Sequence, residues 1–171
     1  WSPADHLQFV PAGVDDLTVV NALAHEIWPQ VYHELISAEQ IQYMLGQMYA
    51  LAKLQDDVTE RQVQYRLIRE ANGHDAGFYA WEKTPGEPAV SLHKLYVRPA
   101  LHGKGIGAAA LRHILQEAAA TGASALKLRV NRQNRKAIRA YLRAGFEFEE
   151  DLCTDIGGGF VMDDHVMVKR L

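Results

Sequence analysis

Cysteine is all but missing: Cys153 stands alone in 171 residues. One thiol cannot close an intramolecular disulfide, and nothing around it has the spacing of a metal cluster. Also missing are a leading signal peptide and any apolar run near the roughly 18 residues that a membrane helix needs. The net charge is only −3, which leaves no electrostatic footprint for bulk nucleic-acid binding. These absences exclude a disulfide scaffold, a membrane-spanning chain and a general nucleic-acid binder, and the expectation they leave is a cytoplasmic protein. The chain opens on Trp1, so an earlier, removed leader stays open. What is present is an ordinary globular composition, 48% hydrophobic and 23% charged, at a length suited to one domain over residues 1–171.

Periodicity then sorts the chain into elements. Gln8-Phe9-Val10 reads as a short strand. Leu17, Val20, Ala24, Ile27 and Val31 follow Asp15-Asp16 at helical spacing, with Pro29 and Tyr32-His33 expected to break or bend the helix. Ser37 and Gln40 read as a capping box before Ile41, Met44, Leu45, Met48 and Leu51, one face of a second helix. A polar stretch from Gln55 to Arg61 reads as a link to the sheet. Strands are predicted at 64–69, 75–82 and 89–97, with turns at Asn72-Gly73 and Pro85-Gly86. A helix from Gly105 to Thr121, a strand from Ala125 to Val130 and a helix from Asn134 to Ala144 come next. A closing hairpin, 146–152 and 160–170, surrounds Gly157-Gly158-Gly159. The order β-α-α-β-β-β-α-β-α-β-β gives an α/β fold, a central mixed sheet of about seven strands with helices on both faces.

The most informative stretch is His102-Gly103-Lys104-Gly105-Ile106-Gly107-Ala108. It follows the apolar run Leu95-Tyr96-Val97 and opens an alanine-rich helix. Glycines at every second position let a backbone approach a ligand, and a helix N-terminus adds unpaired amides and a positive dipole end. Such a turn binds pyrophosphate. A P-loop is excluded, because Gly103-Lys104 is followed by glycine and supplies no hydroxyl for magnesium. The dinucleotide fingerprint is matched formally by Gly103, Gly105 and Ala108. It is disfavoured by the three strands that precede the loop and by the lack of an acid closing the strand at Val130.

The next helix separates the remaining readings. Asn134-Arg135-Lys136-Ala137-Ile138-Arg139-Ala140-Tyr141-Leu142-Arg143-Ala144-Gly145-Phe146 fits N-x-x-A-I-x-x-Y-x-x-x-G-F. With the glycine loop, this strongly resembles the GNAT acetyltransferase superfamily, and the element order extends the likeness over the chain. The resemblance implies acetyl-CoA as cofactor. Pantetheine would lie on the Leu95-Tyr96-Val97 strand, in a notch beside the Ala125–Val130 strand, and pyrophosphate on the amides from His102 to Gly107. The loop's first position is usually Gln or Arg in that family and is His102 here, a departure of small cost where backbone amides make the contact. The family places Tyr141 beside the CoA sulfur as general acid; the competing role is a core tyrosine packed on the sheet. Asn131 and Asn134 would bond pantetheine or cap the helix, and Arg135 or Lys136 would reach the phosphates. His93 shares a strand face with Leu95 and Val97 and is the candidate general base, with Glu26, His33 and Glu34 as others.

Trp28-Pro29-Gln30-Val31-Tyr32, Ser37-Ala38-Glu39-Gln40-Ile41-Gln42-Tyr43-Met44 and the run from Asp155 to Asp164 resemble PaiA-type polyamine acetyltransferases. That likeness implies a small-molecule amine as acceptor. Glu34, Asp155, Asp163 and Asp164 would attract it, and Tyr32, Tyr43, Met44 and Met48 would contact its methylenes. Asp163-Asp164 as a plain turn is the competing role. Acetylation of a protein or peptide amine and a non-catalytic acyl-CoA-binding module stay open, as does assembly, a homodimer included. No metal is expected.

Overall fold

The structure, a computed structural model, describes residues 3–171; Trp1 lies outside them. Among the described residues there are seven strands and five α-helices. The strands are β1 (Gln8–Pro11), β2 (Gln64–Arg69), β3 (Asp75–Glu82), β4 (Ala89–Val97), β5 (Ala125–Asn131), β6 (Glu147–Gly157) and β7 (Phe160–Arg170). The helices are α1 (Leu17–Tyr32), α2 (Ala38–Tyr49), α3 (Leu51–Thr59), α4 (Ile106–Ala120) and α5 (Arg135–Arg143). The strands follow the order β1-β2-β3-β4-β5-β7-β6 in one mixed sheet. No helix among the described residues is long and apolar enough to cross a membrane.

The chain divides into two compact units, one running to Glu82 and including Lys94–Ala110, the other holding Lys83–His93 and Leu111–Leu171. In the first, β1, β2 and β3 pair antiparallel, and β3 is buried along six successive residues from Ala76 to Trp81. A strand covered on both faces needs apolar side chains at every position, which is why this run shows no alternation. Trp28 of α1, Tyr49 of α2, Phe78 of β3 and Tyr96 of β4 pack there edge-on or tilted, with ring centroids 5.6–5.9 Å apart. Gly77 lets β3 pass β4: a Cβ on it would stand 2.0 Å from the Tyr96 carbonyl oxygen. In the second unit β4 and β5 run parallel from Ala89↔Ala125 to Leu92↔Leu128. β5 then pairs antiparallel with β7, and β7 with β6.

Three expectations are corrected. The polar link from Gln55 to Arg61 is largely helix α3, separated from α2 by extended backbone at Ala50 (ψ 140°). Leu51 belongs to that helix and is 44% exposed, not part of a core face. Pro29 does not break α1, which continues to Tyr32. A proline removes one amide hydrogen bond, and here the helix ends within the following turn. The Ser37 cap is realised, its Oγ accepting from the Gln40 amide at 3.1 Å.

Candidate active site

The glycine loop takes the form its residues require. Arg98 donates its amide to Ala76 O at 2.8 Å, and a short 3-10 turn covers Pro99–Leu101. His102 then closes on the strand it follows, its Nε2 lying 2.8 Å from Val97 O. Gly103 and Gly105 have φ of +80° and +81°, values that side-chain-bearing residues rarely adopt. The helix begins at Ile106, and its first bond runs from Ala109 N to Gly105 O at 3.0 Å. The amides of Ile106, Gly107 and Ala108 therefore precede the intrahelical ladder. A Cβ built on Gly103 or Gly107 meets nothing within 4 Å. Open space, orphan amides and the positive end of a 15-residue helix fit a phosphate group.

On β4 the side chains alternate. Val90, Leu92 and Lys94 are buried, whereas His93 is exposed. Tyr96 Oη and Tyr32 Oη are 2.9 Å apart, so one candidate of the cofactor strand bonds one candidate of the acceptor helices. Tyr43 is half-buried, and Glu34 is exposed with His33 at 3.6 Å. Glu26, an alternative base, lies 2.9 Å from Arg98 Nε as an ion pair.

The second unit carries the other candidates. Asn134 is the N-cap of α5, its Oδ1 accepting from Ala137 N at 3.3 Å, and Asn131 Oδ1 accepts from Gln133 N at 2.8 Å. Both asparagines therefore organise the turn into α5. Tyr141 is half-buried, edge-on to Phe146 at 5.5 Å, rather than sealed in a core. Lys136 is exposed. Asp163 and Asp164 lie within β7, not in a turn. Asp163 is 57% exposed, 3.7 Å from Arg132. Asp164 is 2% exposed, and its Oδ2 lies 3.1 Å from Arg129 Nε. Burial raises the Asp164 carboxyl above its ordinary value, and the Arg129 charge partly offsets that. Its charge is answered inside the fold, so Asp164 is withdrawn from the acceptor set. Asp155 accepts from the Gly157 amide at 2.8 Å, an arrangement internal to the hairpin.

One group escaped the sequence reading. Lys94 is buried, its Nζ 2.6 Å from Tyr65 Oη and 3.3 Å from Met48 O. Asp57, also buried, accepts from Tyr65 Oη at 3.0 Å and from Lys53 at 2.7 Å. The available signal was a lysine at the apolar phase of Val90, Leu92 and Tyr96.

A glycine turn at a helix N-terminus fits a phosphate-bearing cofactor. The acetyltransferase (GNAT) family matches residues 28–146, and the chain belongs to that family. It is an acetyl-CoA-dependent N-acetyltransferase. It is similar to an uncharacterized N-acetyltransferase of Mycobacterium tuberculosis (strain ATCC 25618 / H37Rv), 31% identical over 98% of this chain and 97% of that protein. It is 26% identical to the spermidine N(1)-acetyltransferase of Thermoplasma acidophilum, over 88% of this chain and 91% of that protein. The crystal structure of the PaiA N-acetyltransferase from Thermoplasma acidophilum, in complex with coenzyme A, superposes with a TM-score of 0.81. It is 23% identical and covers 96% of this chain and 99% of that chain.

Proposed function

We propose that the chain transfers acetyl from acetyl-CoA to a primary amine of a polyamine such as spermidine, by direct transfer in a ternary complex. In this reading residues 1–171 act as one domain, in the cytoplasm. The observation that carries it is the likeness to a spermidine N(1)-acetyltransferase along 88% of the chain. Acetyl-CoA supplies the acyl group as a thioester. The chain's own residues bind, orient and move protons. The amides from His102 to Ala108 hold pyrophosphate, with Lys136 toward the phosphates. The backbone of Leu95, Tyr96 and Val97 takes pantetheine, with Asn131 and Asn134 shaping the turn beside their helix. His93 accepts the proton of the ammonium so that the amine can attack. The Tyr141 hydroxyl gives a proton to the leaving sulfur. Tyr32, Tyr43, Glu34 and Asp163 receive the cationic acceptor. Cys153 is exposed on β6, and none of these roles requires a covalent acyl-enzyme through it.

The two neighbouring aspartates supply the test. Asp163→Asn should raise KM for spermidine with kcat held, the signature of lost uniform binding, and leave CoA affinity alone. Asp164→Asn should instead lower thermal stability, since it leaves the Arg129 charge without a buried counter-charge. An unchanged spermidine KM in Asp163→Asn removes that residue from the acceptor site. Acetylation of another amine, with spermidine at background, removes the polyamine assignment.

A further inference from the structure

Lys94 is a buried amine that the proposed chemistry does not use. Its partners come from two elements other than its own strand: the Met48 carbonyl and Tyr49 ring of α2, and the Tyr65 hydroxyl of β2. Its Nζ lies 4.2 Å from the Tyr49 ring centroid and 5.0 Å from that of Tyr65. Behind Tyr65 stand the charges of α3 and its C-terminal flank, Asp57 with Lys53 and Arg61; Arg61 also reaches Glu82 of β3 at 2.6 Å. Met48 and Tyr49 are the last two residues of α2, where carbonyls have no intrahelical donor. Lys94 donates to the first carbonyl and Asn21 Nδ2 to the second, at 2.8 Å. The C-terminus of the helix that carries Tyr43 and Met44 is therefore fixed from β4 and from α1. Two positions along β4, Tyr96 bonds Tyr32 at the end of α1. Lys94 and Tyr96 thus bracket Leu95 and fasten the candidate cofactor strand to both candidate acceptor helices. An apolar side chain of similar volume often replaces a buried ion at no loss of stability, so the cation points to a role in placement.

Resting on the acceptor reading above, we propose that Lys94 is a positioning residue that holds the end of α2 against β4, so that acceptor binding depends on its ammonium while cofactor binding does not. Burial draws its ammonium down to about 7, with Asp57 opposing and Lys53 and Arg61 adding to the shift. Tyr49 and Tyr65, which face it, are pushed well upward by burial and do not titrate near neutrality. The grip on the Met48 carbonyl is strongest when Lys94 is charged.

The test compares the parent with Lys94→Met in two readouts. Amide exchange in the last turn of α2, which needs no acceptor, should quicken in the variant. With an amine that the parent acetylates, acceptor KM should rise about ten-fold, the scale of one charge-assisted hydrogen bond, with acetyl-CoA KM unchanged. The parent's acceptor affinity should weaken as pH rises through about 7, relative to the variant, which lacks that titration. Unchanged exchange overturns the proposal, as does quickened exchange with acceptor KM and its pH profile unaltered. If Lys94→Met does not fold, Tyr65→Phe removes the hydroxyl partner and keeps the ring; equal acceptor KM in that variant also overturns it. A parent that acetylates no amine overturns the acceptor reading and the acceptor role of Lys94 with it, whereas the exchange result still reports on the fastening alone.

Discussion

Gly77, Lys94 and Tyr141 each tie a physical constraint to a measurable change. A Cβ at Gly77 would stand 2.0 Å from Tyr96 O and 2.9 Å from Val97 Cα, backbone atoms that cannot swing aside. Gly77→Ala should therefore cost at least the roughly 1–3 kcal/mol of core overpacking. The loss should show as a lower melting temperature, with weaker CoA binding because the Leu95–Val97 backbone must shift. For Lys94 the folded chain gives up its proton near 7, while the unfolded chain holds it to the ordinary 10.5. Between those values the unfolded state binds more protons, so this group's contribution to stability rises as pH climbs through that window. Urea midpoints followed across it should climb for the parent, and Lys94→Met should lack that part of the climb. For Tyr141, whose ring is half-exposed beside Phe146, the proposed acid role predicts that Tyr141→Phe lowers kcat on the order of 10²-fold. CoA affinity should hold. A fully active variant would remove Tyr141 from the mechanism. Lys94 was legible only as a lysine at the apolar phase of β4; its partners could not be read, because Tyr65 and Met48 lie 29 and 46 positions away. The Asp164 error has the same origin: its partner Arg129 lies 35 positions earlier.

Elements were more legible where backbone chemistry is local. The glycine loop, the Ser37 and Asn134 caps and the turns at Gly73 and Gly86 all follow from residues within a few positions of one another. Helix α3 was hidden because its buried face is reduced to Leu54 and Asp57, and a buried aspartate reads as polar surface. The α4 N-terminus offers the cleanest element-level prediction. Gly105 has a φ of +81°, so any substitution there adds strain, but Gly107 lies within the helix and faces open space. Gly107→Ala should leave the fold intact. Gly107→Glu should abolish CoA binding by placing bulk and negative charge where pyrophosphate is expected. Calorimetry giving parental CoA affinity for Gly107→Glu would contradict the placement of the phosphates on this helix end.

At the scale of the molecule, the seven strands, their mixed pairing and the acetyltransferase family follow from patterns visible in the chain. The acceptor does not, because it is set by side chains from separated segments, and related architectures serve many acceptors. Charge is the main discriminator at this scale. With a net charge of −3 the chain has no strong overall field, so under the polyamine proposal the attraction of a cation rests on local carboxylates such as Asp163. The acceptor is decided by CoA release from acetyl-CoA across a panel of amines, with the acetylated product identified by mass. If the acceptor is a polyamine, release runs in step with a singly acetylated spermidine, well above the rate with amino acids, aminoglycosides or a lysine peptide. Tight CoA binding with no amine acetylated would contradict the account.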